Sequence, residues 1–143
     1  MKKLTLIDKA FILKKTPLFE SLDLDLLLPI ADKLTLLHFD TGDNIFSIND
    51  DAKRMYFIAK GTVEILSQEK QMISILEEDD FFGDEAIFSE KPRAYHAFSK
   101  KDSTLLALSR TNLLTIISES PSVAISLLQI YASLIPFRKI ISG

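Results

Sequence analysis

The sequence predicts an α+β fold in which a small antiparallel β-sandwich or barrel stands between helices at both ends. Three observations carry this prediction. Apolar residues recur near helical spacing before Leu34 and again after Leu108. Between those points lie short runs rich in Ile, Leu, Phe, Val and Tyr, separated by turn residues at close intervals. Finally, no strand-like run alternates with a helical one, so the βαβ unit of a parallel sheet is not expected. A length of 143 residues suits one domain with a substantial core. The whole chain, 1–143, is read as that domain, with N-terminal helices over 1–34, a barrel over 35–109 and two C-terminal helices over 110–136.

In the first helix Leu6, Ile7, Ala10, Phe11 and Leu13 recur at helical spacing, and Pro17 ends the pattern. Ser21 or Asp23 is the expected N-cap of the second, where Pro29 implies a kink or a late start. The strand-like runs are LTLLHF from Leu34, NIFSI from Asn44, RMYFIAK from Arg54, TVEILSQ from Thr62, QMISILEE from Gln71 and STLLALS from Ser103. Asp40 to Asp43, Asn49 to Asp51, Gly61 and the pair Glu69-Lys70 separate them, and a hairpin is expected to turn near Glu69-Lys70. Leu113, Leu114, Ile116 and Ile117 should face inward from the next helix. Ser120 and Pro121 form an N-cap and first-turn pair for a last helix reaching about Ile135.

Hydrophobic residues make up 47% and charged residues 26%, the balance of a folded soluble chain and not of a disordered one. The net charge of -3 gives no general attraction to nucleic acid or anionic lipid. Cysteine is absent, which rules out disulfides and thiolate metal sites and agrees with a cytoplasmic location. Charged residues interrupt the apolar run at the N-terminus, so it reads as an amphipathic helix and not as a signal peptide.

The stretch FFGDEAIFSEKPRAYH, from Phe81 to His96, concentrates the chemistry. Together with TPLFESL, TGDNIF and MYFIAKGTVEI, it resembles the cyclic-nucleotide-binding domain family. That family includes the sensor halves of cyclic-AMP-dependent transcription regulators, kinase regulatory subunits and gated channels. The resemblance runs from about Pro17 to about Ile135. FGDEAIFSEKPRA is similar to the family's phosphate-binding cassette, with the spacing from Gly83 to Arg93 matched without a gap. Gly42, Gly61 and Gly83 all fall on family glycine positions. The resemblance implies a double-stranded β-helix, or jelly-roll, barrel and a cyclic AMP or cyclic GMP ligand. No cofactor, metal or catalytic residue is implied.

A cyclic phosphodiester carries one negative charge and two exocyclic oxygens, which a planar guanidinium can meet in parallel; Arg93 is the residue for that contact. Gly83 lets the main chain approach closely, and the amides of the DEAIF turn, Ala86 among them, would point at the anion. Asp84 stands where the family's acidic residue accepts the ribose 2′-hydroxyl; its alternative role is a helix N-cap.

Departures from the family pattern cluster at the same place. Asp84 is shorter than the usual Glu by one methylene. Glu85 replaces a Leu and must face solvent, pair, or take over the ribose contact. Beyond Ala94, Tyr95 and His96 replace a small residue and a Thr or Ser. Tyr95 either packs on the barrel exterior or fills ligand space. His96 either bonds a purine edge or phosphate, or sits at a strand edge. In the turn before Arg54, Asn49 and Ala52 stand where the family has glycines; Asn49 tolerates a left-handed backbone, whereas Ala52 implies a remodelled turn.

Other chemistries find no constellation. His38 and His96 are the only histidines and lie far apart, which is too little for a cupin-like metal site, so a non-enzyme is expected. The sequence ends at Gly143, short of a helix-turn-helix domain, so no DNA contact is expected. Ser120 to Phe137 contains no charge. Val123, Leu127, Ile130, Tyr131 and Leu134 form one apolar stripe, which Ile125, Leu128 and Ile135 widen. Such a helix implies a second partner surface, in a homodimer or on another protein; Ser122, Ser126, Gln129, Ser133 and Pro136 argue against a membrane span. Two functions follow: a non-catalytic regulatory module that binds a cyclic nucleotide and signals through its last helix, or a domain that has lost the ligand and serves as an interaction module.

Overall fold

A computed structural model describes residues 3–134. Eight strands form two four-stranded antiparallel sheets, facing each other as a jelly roll. One runs in the order β1-β8-β3-β6 and the other β2-β7-β4-β5. The strands are β1 (Thr35–Phe39), β2 (Asn44–Phe46), β3 (Arg54–Lys60), β4 (Val63–Leu66), β5 (Met72–Leu76), β6 (Phe81–Phe82), β7 (His96–Ser99) and β8 (Ser103–Ser109). Helices α1 (Leu6–Lys15) and α2 (Leu24–Asp32) precede them, α3 (Asp84–Ser89) lies between β6 and β7, and α4 (Arg110–Glu119) and α5 (Pro121–Ser133) follow.

The unbroken apolar runs in β3 and β8 reflect burial on both faces. Met55 and Phe57 of β3, with Leu106 and Leu108 of β8, pack under the helices beside Leu13, Phe19, Leu27, Leu113 and Val123. The alternating residues Tyr56, Ile58, Leu105 and Ala107 face the barrel interior with Phe46, Val63, Ile65, Phe82 and Ala97. Two strands thus serve two cores, each large side chain contributing about 1.5–3 kcal/mol by its burial. The β4–β5 hairpin turns through Lys70 at φ 60°, with the Lys70 amide donating to the Ser67 carbonyl at 2.8 Å.

Several expectations change in the folded chain. β6 and β7 were not among the apolar runs, being respectively very short and half polar. Asp23, not Ser21, stands at the N-cap of α2, and the Ser21 hydroxyl instead bonds that of Ser126 at 3.0 Å. The apolar face of α1 buries Ala10 and Leu13 but leaves Leu6, Ile7 and Phe11 exposed. Leu114 of α4 also faces outward, whereas Leu113 and Ile116 are buried. On α5 Val123 and Leu127 are buried, while Ile125 and Leu128, and Leu134 at its C-cap, are exposed. Ile135, Pro136 and Phe137 lie outside the described residues. Among the described residues, no single helix is long and apolar enough to cross a membrane.

Candidate functional site

Gly83 opens α3 from the left-handed region at φ 80°, a conformation that glycine adopts without a Cβ penalty. The tight entry brings its carbonyl to the Arg93 side chain, where Nη1 donates at 2.7 Å. Arg93 Nη2 donates to the carbonyl of Arg54. The guanidinium carbon sits 4.1 Å from the centre of the Phe46 ring, over its face. The main chain of Arg93 is held as firmly. Its amide donates to Asp50 at 2.9 Å, and its carbonyl accepts from the Asn49 amide at 2.8 Å. Asn49 adopts φ 73°, the left-handed backbone that Asn tolerates.

Arg93 is only 3% exposed, and burial pulls its pKa below the ordinary guanidinium value. Its Nε is buried with no hydrogen-bond partner. The ion pairs among the described residues are His38–Asp40, Lys100–Glu64 and Arg110–Glu90, so Arg93 faces neutral acceptors and no carboxylate within bonding distance.

Gly83 is the N-cap of α3, and Asp84 is the first residue of the helix. The Asp84 Oδ2 accepts a hydrogen bond of 2.7 Å from the Tyr131 hydroxyl on α5. Burial pushes the Asp84 carboxyl above its ordinary 3.8; the Tyr131 bond opposes the rise and the neighbouring Glu85 charge adds to it. Burial, followed by the Asp84 charge, pushes the Tyr131 phenol well above its ordinary 10.0.

Since the folded pKa of Asp84 lies above the unfolded one, the stability linked to its protonation is full below 3.8 and is lost as pH rises through the folded value. Asp84→Asn can still accept the Tyr131 hydroxyl through its amide oxygen. The variant is expected to melt at a higher temperature than wild type at about pH 7, with the gain shrinking towards about pH 4. Thermal denaturation across that range checks this; an equal gain at both ends would contradict a buried ionised carboxylate.

Tyr95 points into the barrel and not onto its exterior. Its ring lies 5.5 Å from that of Phe46, and its hydroxyl accepts the Gly83 amide at 3.1 Å. Burial, then the Glu85 side chain, pushes its phenol well above the ordinary 10.0. Phe82 stacks on Tyr56 at 5.1 Å, so aromatic rings fill the space behind the cassette. His96 alternates to the opposite face of β7 from Ala97, where its Nδ1 accepts the Ile48 amide at 3.3 Å. Ala94 is exposed, Ala86 is buried, and Glu85 is exposed.

The predicted residues therefore do not share one cavity. Glu85 lines an apolar hollow of about 500 Å³ with Phe88, Ile117, Leu127, Leu128 and Tyr131. Arg93 lines a separate hollow of about 340 Å³ with Phe46, Asp50, Lys53, Arg54 and Tyr56. Sequence reasoning assigned no site role to Arg54, Phe46 or Tyr131. For Tyr131 one signal existed, since a phenol on an otherwise apolar stripe needs a polar partner when buried. Nothing in the sequence pointed to the Arg54 carbonyl.

Comparison with known proteins matches this arrangement of barrel, cassette and flanking helices. Residues 36–120 fit the model of the cyclic nucleotide-binding domain. A cGMP-dependent protein kinase, isozyme 2 forms cD5/T2, of Drosophila melanogaster is 34% identical over 80 residues, 52% of this chain and 9% of the kinase. The CRP-like cAMP-activated global transcriptional regulator of Mycobacterium tuberculosis H37Rv is 23% identical over 125 residues, 85% of this chain and 56% of the regulator. The chain thus spans less than two thirds of either relative. Among solved structures, the N-terminal domain of a transcriptional regulator from Streptomyces coelicolor A3(2) superposes with a TM-score of 0.80 at 23% identity. The match covers 92% of this chain and 99% of that one, and it is a likeness of fold. With the family model covering more than half of the sequence and the jelly roll carrying its cassette between β6 and β7, the chain belongs to the cyclic nucleotide-binding domain family.

Proposed function

We propose that this domain is a non-catalytic regulatory module that binds cyclic AMP or cyclic GMP at the cassette and signals through α5. The observation that carries the reading is Arg93: a guanidinium 3% exposed, its Nε without a partner, held by two neutral carbonyls and no carboxylate. A phosphodiester supplies the missing negative charge. Its exocyclic oxygens replace the Gly83 and Arg54 carbonyls as acceptors, and a cation–anion hydrogen bond is stronger than a cation–carbonyl one.

Asp84 supports a matching exchange. A ribose 2′-hydroxyl replaces the Tyr131 hydroxyl on the same carboxylate, one O–H donor for another. Loss of that bond unties α5 from the cassette, and the ligand favours whichever position of the helix it binds better.

The test is calorimetric titration of the protein with each nucleotide. Saturable heat with a micromolar dissociation constant supports the reading. No heat from protein shown to be folded overturns it. A specific observation favours the second reading in that event. Tyr95 already takes the Gly83 amide and packs against Phe46, so the cassette is closed on its own side chains and the domain acts as an interaction module.

A further inference from the structure

Both main-chain polar groups of Gly83 are already engaged by side chains of the cassette itself. Its carbonyl accepts from Arg93 Nη1 at 2.7 Å, and its amide donates to the Tyr95 hydroxyl at 3.1 Å. Arg93 lies directly against this residue, since a Cβ added to Gly83 would stand 2.8 Å from Nη1 and 3.5 Å from the guanidinium carbon. The two side chains also meet on one ring. The guanidinium carbon is 4.1 Å from the centre of Phe46, and the Tyr95 ring is 5.5 Å from it. Arg93 is clamped through its main chain and almost fully buried, but Tyr95 is only half-buried. It also stands just before β7, whose ladder to β4 opens with His96 opposite Leu66, so strand pairing does not fix it.

We infer that Tyr95 is a tethered competitor of the ligand, a role that rests on the cassette being a nucleotide site. In the free protein its hydroxyl takes, at the Gly83 amide, the place of a phosphodiester oxygen, and its departure sets the affinity of the cassette. Two effects oppose each other in that exchange. An anionic phosphate oxygen is a stronger acceptor than a neutral phenol oxygen, and it meets the Arg93 guanidinium at the same time. Tyr95, however, is covalently attached, so its effective concentration far exceeds that of a micromolar ligand. The apparent affinity is then the intrinsic one reduced by the fraction of molecules in which Tyr95 has swung out. Its departure frees the Gly83 amide and the space between that amide and Phe46, beside the one guanidinium that is held without a carboxylate.

Calorimetric titration of wild type, Tyr95→Phe and Tyr95→Ala with cyclic AMP and with cyclic GMP tests this, each protein first shown to be folded by circular dichroism. Tyr95→Phe keeps the ring and removes the competing oxygen, so binding about fivefold tighter is expected, the worth of one net hydrogen bond. Tyr95→Ala also removes the ring from Phe46, and a gain of about 20-fold or more is expected. Without ligand, hydrogen exchange at the Gly83 amide should quicken in Tyr95→Phe. Equal affinity in all three proteins, or weaker binding by the variants, overturns the competitor and leaves the nucleotide site standing. A silent wild type beside a variant that binds supports the competitor, and it removes free cyclic nucleotide as the regulator of the natural chain. Silence from all three folded proteins overturns both. An unchanged Gly83 exchange rate in Tyr95→Phe overturns the hydrogen bond through which Tyr95 would compete.

Discussion

Arg93→Ala is expected to weaken cyclic-nucleotide binding by about 30-fold or more, because truncating one partner of a buried charge pair costs about 2–5 kcal/mol. The loss has two sources. The diester forfeits its parallel donors and also the buried cation nearest to it, and only Lys53 and Arg54 at the same hollow remain as cations. Arg93→Lys separates the two: it keeps the charge but not the fork, and about a tenfold loss is expected. Removing the side chain also alters the free protein. The carbonyls of Gly83 and Arg54 lose their donor, at about 1–3 kcal/mol for a buried group, while a desolvated cation is no longer carried. A net destabilisation of about 2 kcal/mol should follow, read as a lower denaturation midpoint. Titrations of both variants beside wild type decide the matter. Unchanged affinity in Arg93→Ala would remove this residue from the binding site.

The largest effect on stability is expected from Gly61→Ala, on the turn between β3 and β4. Gly61 has φ 107°, and an added Cβ would lie 2.6 Å from the Ser103 Cα and 2.7 Å from the Asp102 carbonyl oxygen. These are main-chain atoms, so no side-chain rotation relieves the overlap. The turn must separate from the start of β8, where the Ser103 hydroxyl accepts the Thr62 amide at 3.2 Å. The strain then passes to Asp102, which accepts both the amide and the hydroxyl of Thr41, at 2.8 and 2.9 Å. A loss of about 3–5 kcal/mol is expected. Gly42→Ala is the control. Gly42 has φ 89° but nothing within 4 Å of the added Cβ, so only the left-handed penalty of about 1–2 kcal/mol applies. Urea denaturation of both variants measures the contrast; equal losses would mean that the Gly61 contact does not govern stability.

The sequence by itself determined the class of fold, the hairpin at Glu69-Lys70 and the family, because each rests on local pattern. Runs of apolar residues, turn residues with special backbone angles and a spaced motif are properties of neighbours along the chain. It also placed an arginine behind Pro92 with an acidic residue upstream. It did not reveal β6, a strand of two residues, or the outward turn of Leu6, Ile7 and Phe11, since which apolar face is buried depends on what packs against it.

The direction of each cassette side chain was a tertiary decision. Arg93 turns onto a carbonyl 39 residues away because Asn49 and Asp50 clamp its main chain beside the start of β3. Asp84 accepts from a phenol 47 residues away because α5 returns over α3. His96 turns outward and Ala97 inward because β7 presents successive residues to opposite faces, its register against β4 sets which face is the barrel, and Tyr95, just before the strand, packs on the inner side with Ala97. These contacts join parts of the chain that only the packed fold brings together, and local sequence pattern carries no record of that distance.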